Sequence, residues 1–152
     1  LLGLALVWDL AGGVVANSLD SAKRFYHRPL PAPSGALARC LHHPVGFAAA
    51  HVQPILVGLL FGGPWWWGLV WYAAALAGVL AVTGVRRLPE VPDRLQRPLA
   101  MGLVGTGVLA APLLSAPEGF GWLPAVLLLK LVGAHAVPET AAVEPDSARP
   151  SA

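Results

Sequence analysis

The sequence predicts an all-α, polytopic membrane protein, with five antiparallel transmembrane helices of which the first lacks its N-terminal part. Three observations predict this. Of the 152 residues, 56% are hydrophobic and only 12% charged, with a mean hydropathy of +0.64. Soluble domains carry about 25% charged residues, so this chain has too few polar groups to cover a surface facing water. Apolar segments near spanning length recur along the chain, at 1–16, 44–61, 65–84, 98–115 and 120–137. Finally, Lys and Arg cluster in alternate connections between those segments.

A helix needs about 20 apolar residues, with a working range near 17 to 25, to cross the hydrocarbon core. The four later segments meet this. The segment 1–16 falls a little short and opens on Leu1 rather than Met, inside an apolar run, as expected of a first span that lacks its beginning. None of the five shows the period-two alternation of a barrel strand. Gly62-Gly63-Pro64 and 115–119 read as tight turns, which makes neighbouring helices antiparallel. Residues 1–140 form one bundle. The stretch 29–35 is a Pro-rich stiff turn after a juxtamembrane helix, and 141–152, mixing Pro, Ser and acids, reads as a disordered tail.

Orientation follows from the basic residues. Lys23, Arg24, Arg28 and Arg39 lie between the first two spans, and Arg86, Arg87, Arg94 and Arg97 between the third and fourth. The other two connections hold no Lys or Arg. Both basic loops and the C-terminal tail are therefore expected in the cytoplasm, with the chain in the plasma membrane. Trp65, Trp66 and Trp67 open the third span and Trp122 the fifth, where indoles anchor at headgroup level. Phe25 and Tyr26 are expected to do the same at the inner face. The net charge of +2 is explained by this sidedness and gives no reason to expect nucleic acid as a partner. The lone Cys40 excludes an internal disulfide and any multi-cysteine metal centre.

Ionisable groups inside spans are rare and functional by default. Here they are Asp9, His51, Lys130 and His135, with Asn17, His42, His43 and Glu139 at the cytoplasmic boundary. At 1.5 Å per residue, Asp9, His51 and Lys130 all lie about 10 to 12 Å above the inner ends of their helices. Small residues share their faces: Gly12, Gly13 and Ala16 beside Asp9, Ala48 and Gly58 beside His51, Gly133 and Ala134 beside Lys130. Such stripes let helices approach closely and turn the polar groups inward. Lys130 tilts toward the N-terminal end of its helix, away from the nearer surface, which makes Asp9 its expected partner.

Three readings of this buried cluster of Asp9, Asn17, His51, Lys130 and His135 are open. The first is structural, a polar network that fixes helix register. The second is a proton- or ion-coupled transporter subunit, active as a homo-oligomer, in which Pro54 and Pro112 break helices to expose carbonyls. The third is haem or a divalent metal, with His51 paired with His135 or His43 as axial ligands, or His43, His135 and Glu139 around a metal ion. No C-x-x-C-H, H-E-x-x-H, G-x-S-x-G or P-loop pattern supports a known chemistry, so the structural reading leads. Any site is expected to open toward the cytoplasm and centre on His51.

Overall fold

The computed structural model describes residues 1–89 and 91–138; Glu139 and the tail 141–152 lie outside the described residues. The described chain is helical, with no strand among those residues. Each expected apolar segment contains helix, but the helices are shorter and more interrupted than five uniform spans. Among the described residues only Trp65–Val85 is by itself long and apolar enough to cross a membrane, and up to three spans result if each sharply bent pair counts as one.

The first segment is α1, Leu2–Ser18, and it turns by 85° into α2, Asp20–His27. Leu19 between them is extended, at φ −71° and ψ 140°. Beyond the Pro-rich turn, α3 (Ala36–His42) meets the next helices at 93°. His43 ends α3 and also caps α4 (Pro44–Ala49), its Nδ1 accepting the Val45 amide at 3.3 Å. Pro44 follows at the first helical position, where a missing N–H costs nothing. The segment then breaks after Ala49 and resumes as α5, Gln53–Leu60. Pro54 has no N–H to offer the Ala50 carbonyl, so the helix cannot run through this turn.

Gly62 and Gly63 reverse the chain at φ +74° and +92°, a region that side chains with a Cβ rarely enter. The following helix, α6 (Trp65–Val85), runs back along α5 with backbone-close packing. A Cβ at Gly68 would collide with the Pro54 carbonyl, and one at Gly58 would lie 3.1 Å from the Gly68 nitrogen. Trp67, Trp71, Ala75, Val79 and Val82 form the buried stripe of α6, at the spacing of one helical face. A short 3₁₀ turn, Asp93–Leu95, leads into α7 (Gln96–Ala110), and a second, Ala111–Leu113, ends it.

The last segment is α8 (Leu123–Leu128), continued by a π-helical stretch, Leu129–His135. The Ala136 amide donates to the Leu131 carbonyl five residues back. This segment packs on α1, α6 and α7, and buried residues occur all round it: Leu123, Leu127, Leu128, Lys130, Leu131, Val132, Ala134 and His135. A helix apolar all round belongs at the centre of a bundle. By contrast α1 buries only Leu10 and Asn17.

The tryptophans divide in a way the sequence reading did not expect. Trp65 is 64% exposed, whereas Trp67 is fully buried. Successive helical residues point about 100° apart, so three consecutive indoles cannot all face a headgroup layer. Trp67 is core. Tyr26 likewise packs inward, edge-on to His135 with ring centroids 4.7 Å apart, while Phe25 is half-exposed.

Candidate functional site

An ion pair joins α1 to the last helix. Lys130 Nζ lies 3.2 Å from Asp9 Oδ2, and also donates at 3.3 Å to Oδ1 and to the Asp9 backbone carbonyl. Gln53 Nε2 donates to the same carboxylate at 3.3 Å. Lys130 reaches Asp9 by crossing α1 at Gly13, where a Cβ would occupy the place of its methylene chain. Three elements that are remote in sequence thus converge on one carboxylate. Asn17, one face further along α1, is buried, and its Nδ2 has no hydrogen-bond partner among the described residues.

The histidines gather beside this pair and against aromatic rings. Phe47 is stacked on His135, at 4.0 Å and 23°, and touches His51 at 4.6 Å. His51 is buried, and the charges of Lys130 and Asp9 both act on it. Its Nδ1–H donates to the Phe47 carbonyl at 2.8 Å. Tyr72 donates its hydroxyl to the Ala49 carbonyl at 3.0 Å. Carbonyls at the break before Pro54, which an ion pathway would need open, are therefore held by protein donors.

The arrangement also bears on the metal and haem readings. No group of three His, Cys, Asp or Glu able to hold a metal ion occurs among the described residues. His43 is exposed and uses Nδ1 as a helix cap. The rings of His51 and His135 flank Phe47, so an iron placed between them would have to displace that ring. His135 Nε2 is buried without a hydrogen-bond partner among the described residues. Glu139 lies outside those residues.

Toward the basic end of the bundle the cluster continues into a pocket of about 560 Å³. Its wall draws on the end of α2, on α3 and on the end of α6, and carries Arg28, Arg39, Arg86 and Arg87. His27 Nε2–H donates to the His135 carbonyl at 3.1 Å, and His42 Nε2–H to the Arg28 carbonyl at 2.9 Å. A carbonyl only accepts, so the ring nitrogen facing it carries the proton. Burial pushes His27 below the ordinary imidazole pKa; the His135 carbonyl opposes this, while Arg86, Lys23 and His42 add to it.

No local sequence pattern marks this pocket. In the sequence the arginines carry the orientation signal, Tyr26 is expected at the interface, and His27 only closes the basic-aromatic end of the stretch from Trp8. The one available signal was that both basic loops were expected on the same side.

No protein-family model, curated protein or solved structure matches the chain.

Proposed function

We propose that the chain is a multi-spanning helical protein of the plasma membrane, in which the Asp9–Lys130 pair locks α1 onto the central last helix. One observation carries this reading. Large apolar side chains are exposed along the helices, among them Leu4, Trp8, Leu59, Leu60, Leu80 and Leu109, while the arginines of the two basic loops gather at one end. Arg28 and Arg39 of the first basic loop meet Arg86 and Arg87 of the second in one pocket. At the other end the two connections without Lys or Arg meet, Gly63 against Pro117 and Phe61 against Phe120 at 4.6 Å. An apolar belt with a basic end is the pattern of a bilayer-embedded bundle whose basic end is cytoplasmic.

The last helix, Leu123–His135, is only about 20 Å long at 1.5 Å per residue, short of the roughly 30 Å hydrocarbon core. Its central place answers this, because backbone that leaves the helix at membrane depth is tolerated where protein surrounds it. The half-exposed Asp9 carboxylate, on a helix that otherwise shows lipid-type residues, is the reason to include a second copy of the chain as a partner over α1.

Membrane fractions washed at alkaline pH test the reading. The chain is expected to stay with the lipid, and release into the supernatant in folded form would sink the proposal.

A further inference from the structure

Arg28, Arg39, Arg86 and Arg87 converge on one concavity together with His27 and His42, and no carboxylate lines it among the described residues. Like charges repel, so a fold that collects four arginines round a hollow requires something to offset the repulsion. The positive-inside rule explains why such residues occur in these two loops, but not why four of them share one pocket. Lys23, Arg24, Arg94 and Arg97 belong to the same loops and do not line it.

The walls are built rather than loose. His42 ties α3 to the end of α2 through the Arg28 carbonyl, and His27 ties the end of α2 to the last helix through the His135 carbonyl. The Arg28 guanidinium is set over the Phe25 ring, 5.0 Å from its centroid. Imidazoles tethered through Nε2 keep Nδ1 for a second partner, as acceptor when neutral and as donor when protonated. A planar guanidinium offers paired donors that match the oxygens of a phosphate group.

We propose that this pocket binds a phosphate-bearing ligand, its phosphate held by Arg28, Arg39, Arg86 and Arg87. The volume of about 560 Å³ falls within the range of small-molecule sites, roughly 300 to 1,000 Å³, so more than the phosphate is accommodated. Tyr26, Leu30 and Pro44 supply a less polar wall for the remainder. The shared chemistry is a phosphate monoester, supplied by a soluble compound or by the headgroup of an anionic lipid. The proposal stands apart from the membrane reading, because a pocket of this kind binds in detergent as well as in a bilayer.

Equilibrium dialysis of the purified full chain in a neutral detergent, against labelled inorganic phosphate, tests it. Saturable binding is expected. Displacement by short-chain phosphatidic acid at lower concentration than by glycerol phosphate assigns the lipid source, and the reverse order assigns the soluble one. Arg39→Gln with Arg86→Gln should weaken binding at least tenfold, whereas Arg94→Gln with Arg97→Gln, outside the pocket, should leave it unchanged. If the first pair prevents folding, Arg39→Lys with Arg86→Lys keeps the charge, loses the forked donors, and should bind several-fold more weakly. Absence of saturable binding, equal loss in the Arg94 and Arg97 variant, or wild-type affinity in the lysine variant each overturns the proposal.

Discussion

Lys130 and Asp9, 3.2 Å apart, are unequally buried: the lysine side chain is 4% exposed and the aspartate 52%. The two ends of the pair therefore depend on each other unequally. Without Asp9 the ammonium stays enclosed against the α1 backbone with its main counter-charge gone. Without Lys130 the carboxylate still has an open side and the Gln53 amide.

Asp9→Ala should thus destabilise the protein more than Lys130→Met. Breaking a buried pair by removing one partner costs about 3 to 5 kcal/mol where the other charge is left enclosed, and Asp9→Ala should lie toward that range. The double variant should recover part of the loss. Thermal unfolding in detergent measures the cycle; strictly additive losses would show that the two residues do not interact.

Gly13 and Gly12 offer a sharper comparison. A Cβ at Gly13 would meet the Lys130 chain, while one at Gly12 has nothing within 4 Å. Gly13→Ala should destabilise by about 1 to 3 kcal/mol, the range for overpacking. Gly12→Ala should be neutral, or stabilising by roughly 0.5 to 1 kcal/mol from the lower flexibility of the unfolded chain. The same melting experiment decides it, and equal effects at the two sites would refute the path assigned to Lys130.

Cys40 is exposed and lies near the basic end of the bundle, whereas Ser115 is exposed at the opposite end. In intact cells Cys40 should label only with membrane-permeant thiol reagents. With Cys40→Ser and Ser115→Cys combined, an impermeant reagent should label the chain. The opposite pattern would invert the orientation proposed from the arginines.

His27 makes stability depend on pH in a definite direction. Its folded pKa is depressed, chiefly by burial, with Arg86 on the end of α6, Lys23 on α2 and His42 on α3 adding to the effect and the His135 carbonyl opposing it. The unfolded chain, with an imidazole pKa of about 6.5, then takes up the proton first. This contribution to stability is complete above that pH and is lost as the pH falls below it. Melting temperatures at pH 7.5 and 5.5 should differ less in His27→Gln than in the wild type. An unchanged difference would show that His27 does not titrate as its setting implies.

The helical class, the five apolar segments, the Gly62-Gly63-Pro64 reversal and the alternation of connections with and without Lys or Arg follow from patterns within short stretches. Hydrophobic spacing, glycine at positive φ and loop charge act locally, so sequence by itself determines them. It also placed Asp9, His51 and Lys130 at one depth, because helical rise depends only on counting residues. Other features depend on which helix lies beside which. The last helix became the centre, and α1 the periphery, because Val132 packs at Gly78 of α6 and Leu128 at Gly107 of α7 while α1 buried only Leu10 and Asn17. That choice turned Trp67 inward, stacked Phe47 on His135, and let two separate loops fold their arginines round one hollow. Each of these contacts joins residues distant in the chain, and no local pattern records the helix order that brings them together. Tertiary packing alone decided it.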